Sequence, residues 1–320
     1  MAASTALQLP LLDLPRPLLN DGRCFRRDAA ASAGLSRSRL AALLASGDVR
    51  EVVRGVFVDA RAPDTSVTWL DALALAVPPG AVIAGRSAAW AHGIDVRALG
   101  RPNETPAVEC IAPGGGRLER RTGVRSRPEP LRDEVTELGD IRCTSPLRTA
   151  VDLLFQIPRH LAIAAVDAMA HARWFTVGML TAEVERRRGQ PGHRRALRLA
   201  SSCEPRAESF GESWTRLRML DAGFPRPTAQ VPLWRDGRVE FRIDLGYPGL
   251  RVGVEYDGLE HHSTPRDLRA DEARRTRIRE QYGWTLLVVD RGDILARSMR
   301  FELALGDVLG QEPRRRRRTW

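Results

Sequence analysis

The sequence contains no lysine, and its fifty basic side chains are all arginine. This absence excludes every catalytic scheme that depends on a lysine amine. A codon bias toward arginine explains the same composition without any functional consequence. The missing lysine therefore restricts the possible mechanisms but does not indicate one.

Cysteine is scarce and widely spaced. The four residues, Cys24, Cys110, Cys143 and Cys203, form no C-x-x-C pair. Neither a zinc site nor a disulfide framework is therefore indicated. Isolated thiols suit a reducing compartment, so we expect a cytoplasmic protein.

Long apolar runs are also missing. No segment approaches the length of a membrane-spanning helix. The N-terminal stretch MAASTALQLPLLDLPRPLL lacks a basic start, and Asp13 and prolines interrupt its apolar residues. The sequence therefore predicts neither a signal peptide nor a membrane partner.

The chain is instead rich in positive charge. It has 320 residues, a formal net charge of +10, a pI near 10.7 and an apolar fraction of 43%. This length accommodates two or three domains with their own cores. The charge favours a polyanionic partner such as nucleic acid, although solubility and genomic base composition explain it equally.

Near the N-terminus, the stretch RRDAAASAGLSRSRLAALLASGDVREVVRGVFV predicts two helices and a small hairpin. An alanine-rich helix runs to Ala33, and Ser36 is the expected N-cap of a second helix that stops at Gly47. Two β-prone runs follow, separated by an Arg-Gly turn. This order predicts a winged helix-turn-helix.

Three arginines of this segment are candidates for contacting nucleic acid. Arg37 and Arg39 begin the second helix, where such a fold meets the major groove, and Arg54 lies at the hairpin turn. The alternative is a small helical bundle with a solvated basic face.

The middle of the chain predicts a mixed α/β region with less distinctive motifs. The PGGG run is not followed by G-K-[ST], so we interpret it as a turn and not as a phosphate loop. Ser145 and Pro146 predict the start of a helix. The arginine-rich stretch 184–203 is predicted to be a solvated connection.

Toward the C-terminus the predicted order is helix, three strands, helix, strand and helix. In RVEFRIDLGY, alternation predicts that Val239, Phe241, Ile243 and Leu245 share one face and leave Asp244 on the other.

In the stretch VEYDGLEHH, Glu255 and Asp257 project from one face of the next strand. With a tight turn at Pro248-Gly249, Asp244 lies opposite Gly253, which leaves space, and diagonal to Glu255. Asp244 and Glu255 would then hold one hard divalent cation, Mg²⁺ or Mn²⁺. Such an ion would offset the repulsion between the carboxylates.

The alternative to a metal is an acidic sheet face neutralised by Arg242 and by arginines of the following helix. The inference is sensitive to register, because one bulged residue would move Asp244 to the core side.

The C-terminal segment, over about residues 204–293, resembles the very-short-patch-repair-like endonucleases, a branch of the PD-(D/E)XK restriction-endonuclease-like fold. The resemblance lies in IDLGYP, VEYDG and HH, in that order. It implies an αβββαβ core that hydrolyses phosphodiesters.

The resemblance also implies roles for individual residues. Asp244 corresponds to the metal-binding Asp, Glu255 to the acid of the next strand, Glu212 to an additional active-site Glu, and His262 to a histidine that helps activate water. Asp257 occupies the position of the Lys expected in the fold family, or of a His in the repair enzymes. With no lysine present, His262 or its neighbour would have to substitute.

The N-terminal half, over about residues 20–200, resembles AbiEi-type antitoxins of abortive-infection toxin-antitoxin systems. The likeness lies in LSRSRLAALLASGDVREVVRGVFV and TSPLRTAVDLL. It implies operator binding by the winged helix, repression, and a cognate toxin as a further partner.

Together these patterns predict an α+β multidomain protein in four parts. They are a winged helix-turn-helix domain at 20–65, a mixed α/β AbiEi-like middle domain at 66–202, an endonuclease-like domain at 203–312 and a basic tail at 313–320.

Three functions agree with this organisation. The first is a metal-dependent DNA endonuclease, in which Arg269, Arg274 and Arg277 either hold the DNA backbone or form an ordinary solvated helix face. The second is a transcriptional repressor or antitoxin whose nuclease fold has lost catalysis. The third is an RNA-directed nuclease.

Overall fold

The structure is a computed structural model. It describes residues 22–96, 105–112, 121, 123–131, 134–258 and 265–314. For residues 265–268 it describes the backbone only. The chain divides into two compact units, Met1–Thr149 and Ala150–Trp320. The domain boundaries at 65/66 and 202/203 stay predictions.

The α+β class is confirmed. In the first unit the helices and strands are β1 Phe25–Arg26, α1 Arg27–Ser32, α2 Arg37–Ser46, β2 Val49–Val53, β3 Val56–Asp59, α3 Ser66–Ala76, β4 Val82–Ile83, α4 Gly85–Ala91, β5 Val108–Ala112, β6 Val124–Pro128, β7 Val135–Leu138 and β8 Ile141–Thr144, followed by the start of α5 Pro146–Gln156.

In the second unit, after α5, they are α6 Arg159–His171, α7 Val177–Glu185, α8 His193–Ser202, α9 Phe210–Asp221, β9 Thr228–Arg235, β10 Arg238–Tyr247, β11 Val252–Asp257, α10 Pro265–Tyr282, β12 Thr285–Asp290, α11 Arg291–Leu295 and α12 Arg300–Leu309.

The first helices and the hairpin form as the capping residues predict. Ser36 caps α2 by accepting a hydrogen bond from the Arg39 backbone N–H at 3.2 Å. Gly47 ends α2 with a left-handed φ of 78°, which glycine adopts without a steric penalty. The hairpin β2–β3 gains an unpredicted third strand, β1, and the sheet order is β1-β3-β2. Phe57 of β3 is fully buried in the core between this sheet and the helices.

A five-stranded sheet, with order β6-β5-β4-β8-β7, follows in the same unit. Its core includes Trp69 of α3 and Trp90 of α4, whose rings lie 5.1 Å apart. The PGGG turn lies outside the described residues.

The stretch 184–203 is not a solvated connection, and this prediction is wrong. Half of it, His193–Ser202, forms α8, in which Ala196, Leu199 and Ala200 are buried. Their spacing of three and four residues places them on one helix face. Arg194 and Arg198 are exposed, whereas Arg195 donates to the Leu154, Phe155 and Ile157 carbonyl oxygens. The high arginine content hid this amphipathic pattern.

The C-terminal part contains a four-stranded mixed sheet, in the order β12-β11-β10-β9. The three strands β9, β10 and β11 are antiparallel, whereas β12 runs parallel to β11. The helix after β12 begins at Arg291. Asp290 is its N-cap, and Asp293 completes a capping box three residues later.

Two further observations concern the whole described chain. The four cysteines are buried free thiols. Among the described residues, no helix combines the length and apolar content needed to cross a membrane.

Candidate functional site

Strands β10 and β11 separate at Asp244, and this separation creates the candidate site. Their ladder pairs Tyr247 with Val252 and ends with Leu245 opposite Val254. Beyond that point the Tyr256 N–H donates to Asp244 Oδ2 at 2.9 Å. The Asp244 carboxylate therefore accepts a strand N–H where the two strands no longer pair.

The predicted register is wrong by two residues. The turn is a four-residue loop, in which the 3₁₀ segment Pro248–Leu250 precedes Arg251 in a left-handed conformation with φ of 50°. Continuing the observed ladder brings Asp244 level with Glu255 and not opposite Gly253. Gly253 leaves no space, because a Cβ there would lie 2.7 Å from Leu286 Cδ2.

The side-chain alternation of β10 is interrupted between Ile243 and Gly246. Ile243 belongs to a core with Val231 and Trp284, and a Cβ on Gly246, three residues later, would contact those same two residues. Strict alternation would place positions 243 and 246 on opposite faces. The predicted common face of Val239, Phe241, Ile243 and Leu245 is therefore not continuous past Ile243. It is also interrupted before Phe241, because Val239 is exposed and the pairing with β9 shifts register between Val239 and Phe241.

The structure brings Glu212, Asp244 and Glu255 together. Burial raises the pKa of the Asp244 carboxyl to about 7, and the nearby charges of Glu212 and Glu255 add to this rise. The Tyr256 N–H and the Arg274 charge act in the opposite direction. A substantial share of Asp244 carboxyls is therefore protonated at neutral pH.

Glu212 approaches the site from the first turn of α9. It is buried, with 5% of its surface exposed, and burial raises its pKa. Its Oε2 accepts hydrogen bonds from the Glu208 backbone N–H at 3.1 Å and from Gln230 Nε2 at 2.9 Å. These donors stabilise the carboxylate form.

Arginines of α10 neutralise the acids of β11. Arg274 Nη2 lies 2.9 Å from Glu255 Oε1, and Arg275 Nη2 donates to Asp257 Oδ2 at 2.9 Å. Arg274 Nη2 also donates to the Arg242 carbonyl oxygen at 2.7 Å, so its guanidinium bridges the two strands where they diverge. The sequence offered neutralisation by arginines as the alternative to a metal ion, and the arginines of α10 do neutralise Glu255 and Asp257. Arg242, which was also named for this role, pairs with Glu208 instead.

A divalent cation fits these residues in part. The carboxylate oxygens suit a hard ion, and an ion beside Asp244 would lower its raised pKa. Glu255, however, is already contacted by Arg274 and Arg275. Within the described part of the chain, no group of three or more His, Cys, Asp or Glu side chains is arranged to hold a metal ion. His262 lies outside the described residues.

Sequence reasoning missed two contributors to the site. Gln230 on β9 has a left-handed φ of 51° and reaches Glu212, but nothing in the sequence marks this glutamine. Arg275 was indistinguishable from its neighbours in the arginine-rich helix.

A second candidate surface lies in the first unit. Arg37 and Arg54 are exposed, and Arg39 is partly exposed. Arg37 and Arg54 line one cavity of about 1070 Å³, here called the arginine cavity, and Arg39 does not. The side chains of all three form no hydrogen bond or ion pair with the described residues of the protein.

The fold and these sites define a multidomain α+β protein in which Arg37, Arg39 and Arg54 form one candidate surface and a buried acidic cluster forms another site. Residues 81–201 match the sequence model of the AbiEi antitoxin C-terminal domain, so this part of the chain is similar to those antitoxins.

Two relatives come from Mycobacterium tuberculosis strains. Uncharacterized protein MT2308 (strain CDC 1551 / Oshkosh) and uncharacterized protein Rv2248 (strain ATCC 25618 / H37Rv) are each 28% identical over 267 residues, which cover 81% of this chain and 92% of theirs. The crystal structure of the RV2827C protein from Mycobacterium tuberculosis aligns with a TM-score of 0.31 and 18% identity, covering 60% of this chain and 75% of that one.

Proposed function

We propose that the protein is a DNA-binding regulator of the antitoxin type. The observation that carries this proposal is the match of residues 81–201 to the AbiEi antitoxin C-terminal domain. The helix pair and hairpin that precede the matched region support it, since they have the order of a winged helix-turn-helix. A cognate toxin is the further partner that this likeness suggests.

In this proposal the N-terminal elements contact duplex DNA. Arg37 and Arg39 at the start of α2 reach the major groove, and Arg54 at the hairpin turn contacts the backbone. Their side chains have no partner among the described residues, so phosphate contact breaks no ion pair. The net charge of +10 adds a sequence-independent attraction.

Simultaneous replacement Arg37→Ala, Arg39→Ala and Arg54→Ala should weaken duplex binding about 100-fold, because each lost base or phosphate contact costs on the order of 1 kcal/mol. The measurement is fluorescence anisotropy with the duplex upstream of the gene and with a shuffled duplex of equal length.

A control variant removes the same charge from other exposed positions, Arg125→Ala, Arg142→Ala and Arg238→Ala. Its affinity should stay within about threefold of the wild type, since only the non-specific attraction changes. Equal binding by the first triple variant and the wild type would exclude the groove-contacting role.

A second candidate function is metal-dependent hydrolysis of phosphodiesters. One observation favours it, namely the raised pKa of Asp244 between Glu212 and Glu255. Asp244 and Glu255 would hold Mg²⁺ or Mn²⁺, and the ion would supply an acidified water and charge stabilisation. Glu212 would support that water, and His262 would accept its proton.

The contacts of Arg274 and Arg275 with Glu255 make phosphodiester hydrolysis the less favoured of the two proposed functions. Arg274 and Arg275 already compensate Glu255, and a lysine for orienting the attacking water is absent from the sequence. A cation would have to compete with two guanidinium groups for the same carboxylate.

Supercoiled plasmid incubated with the protein and Mg²⁺ or Mn²⁺ should therefore remain intact while still being bound. Agarose gels follow cleavage, and a mobility shift follows binding. Metal-dependent nicking that disappears in both Asp244→Ala and Glu255→Ala would favour the hydrolase over the DNA-binding regulator.

A further inference from the structure

We infer that the arginine cavity binds a small phosphate monoester with an apolar or aromatic organic group, and that this ligand competes with duplex DNA. The ligand site stands independently of the proposed function, whereas the competition rests on it. Arg37 and Arg54 line the cavity and are also proposed DNA contacts, so one ligand would exclude the other.

The arginine cavity is formed by separate segments of the first unit. Its walls come from α1 and the turn that follows it, the start of α2, the hairpin turn and the end of α3. Its volume of about 1070 Å³ is comparable with that of the larger pockets that hold small organic molecules. The space therefore suits a ligand larger than an inorganic anion.

Three arginines supply the positive charge of the site. They are Arg27 at the start of α1, Arg37 at the start of α2 and Arg54 at the hairpin turn. Within the described ranges, Arg37 and Arg54 have no side-chain partner, and the Arg27 guanidinium contacts only the Phe57 ring, 5.8 Å from its centroid. The nearby Glu51 carboxylate accepts a backbone N–H of the hairpin turn at 2.7 Å.

The other charged groups of the wall are engaged with the protein. Arg26 lies 3.3 Å from Asp28 in an ion pair and also donates to the Leu75 carbonyl oxygen at 3.2 Å. Arg121 donates to the Val77 carbonyl oxygen at 3.0 Å, and no ligand contact is assigned to it. The three arginines of α1, α2 and the hairpin turn therefore oppose the single carboxylate of β2, which favours an anionic ligand.

The start of α2 adds backbone donors to the same space. Ser36 and Arg37 both line the cavity. The first N–H groups of a helix have no intrahelical acceptor, and the Ser36 hydroxyl satisfies only that of Arg39, at 3.2 Å. The remaining N–H groups and the positive end of the helix favour a phosphate.

Apolar side chains form another part of the wall, and they indicate an organic ligand. They are Ala31, Leu35, Leu40 and Ala76. An apolar or aromatic substituent on the phosphate would leave water by contacting them. The DNA backbone is polar and charged and gains little from such a surface. The cavity is therefore better suited to an organic phosphate than to the DNA backbone.

Phenyl phosphate is the probe, and inorganic phosphate and phenol are its controls. In isothermal titration calorimetry with the full chain, phenyl phosphate should bind at least about tenfold more tightly than either control, because only phenyl phosphate uses both the arginines and the apolar wall. Equal affinity for phenyl phosphate and inorganic phosphate would overturn the organic class of ligand. Absence of phenyl phosphate binding at millimolar concentration would overturn the ligand site.

Ala31→Glu and Ala29→Glu form a matched pair of variants. Both positions are exposed on α1, but only Ala31 lines the cavity. A glutamate at position 31 would lie one turn after Arg27 and repel a phosphate, so it should weaken phenyl phosphate binding about tenfold. Ala29→Glu adds the same charge outside the cavity and should change the affinity less than about twofold. Equal affinities of the two variants would place the ligand elsewhere.

Arg27→Gln provides a second test that adds no negative charge. It removes one guanidinium group from the wall and should weaken phenyl phosphate binding about fivefold. Thermal unfolding of this variant and of the two glutamate variants checks that each is folded. An unchanged affinity in Arg27→Gln would overturn the assignment of the phosphate to these arginines.

Competition is measured by fluorescence anisotropy with the upstream duplex. Phenyl phosphate should displace the duplex from the wild type, and sodium chloride at equal ionic strength should displace less. Ala31→Glu should require about tenfold more phenyl phosphate for the same displacement. Simultaneous binding of phenyl phosphate and duplex would overturn the competition.

The failures of the two proposals are distinguishable. Protein that binds phenyl phosphate but no duplex would contradict the proposed function and support the ligand site. Duplex binding that is lost in the triple variant of Arg37, Arg39 and Arg54, together with no binding of phenyl phosphate to the wild type, would overturn only the ligand site.

Discussion

Replacing Asp244 by Asn is expected to stabilise the protein by roughly 4 kcal/mol at pH 8. The carboxyl group is buried beside Glu212 and Glu255, which raises its pKa to about 7. Above that pH the folded protein carries a poorly solvated negative charge. Asn is uncharged, and its side-chain oxygen can still accept the Tyr256 N–H that Asp244 Oδ2 accepts.

The sign of the effect follows from proton binding. Between pH 4 and 7 the folded state keeps a proton on Asp244, whereas the unfolded state, with a pKa near 3.8, has lost it. The carboxyl therefore makes the folded state less stable as the pH rises through this window. The advantage of Asp244→Asn should grow from about pH 4 to about pH 7 and remain constant above.

Thermal and urea unfolding of both proteins across this pH range measures the difference. Asp236→Asn is the control, because its side chain is 95% exposed and should show no such dependence. An Asn variant that is less stable than the wild type at pH 8 would contradict the proposed burial of charge. Stabilisation of the wild type, but not of the variant, by millimolar Mg²⁺ would support the second candidate function.

Breaking the ion pair between Asp167 and Arg216 should have a comparably large and opposite effect. The two side chains are 1% and 0% exposed, with Arg216 Nη2 2.5 Å from Asp167 Oδ2. Asp167→Asn leaves the guanidinium buried without a counter-charge, and we expect a loss of about 3–5 kcal/mol. Asn keeps the shape of Asp, so cavity formation does not contribute.

A matched control exists in the same unit. Arg159 and Asp221 also form a close pair, at 2.6 Å, but their side chains are 31% and 34% exposed. Asp221→Asn should therefore cost less than about 1 kcal/mol. Urea denaturation measures the free energy of unfolding of both variants. Equal losses in Asp167→Asn and Asp221→Asn would show that burial of the ion pair does not determine how much stability is lost.

The double variant Asp167→Leu with Arg216→Met provides the complementary test. It replaces both charges by apolar groups, so it should recover much of the stability lost in Asp167→Asn. A double variant as unstable as the single one would indicate that the hydrogen bond from the Glu204 backbone N–H to Asp167 Oδ1 is the main contribution.

This ion pair also shows why a domain boundary near residue 202 is difficult to assign from sequence. Asp167 belongs to α6 and Arg216 to α9, which lie on either side of that position in the chain. Trp214 of α9 likewise donates to the His160 carbonyl oxygen at 3.0 Å. Residues Ala150–Trp320 form one compact unit.

The sequence by itself determined the local elements, because their signals are local. Ser36, Gly47 and the Arg-Gly turn specify the helix pair and hairpin within a few residues, and alternation specifies the strands of the C-terminal sheet. Its largest local error was α8, where abundant arginine concealed a narrow apolar face.

Only the tertiary structure decided which groups meet. The four-residue loop after β10 shifted the register by two residues. The Asp244 carboxyl accepts the Tyr256 N–H where the two strands no longer pair, and Arg274 of α10 contacts Glu255. Loop conformation and long-range packing determine these contacts, and neither can be predicted from a periodic pattern of residues in the sequence. The same holds for Arg121, which reaches the arginine cavity from a segment far from the helix pair in the chain.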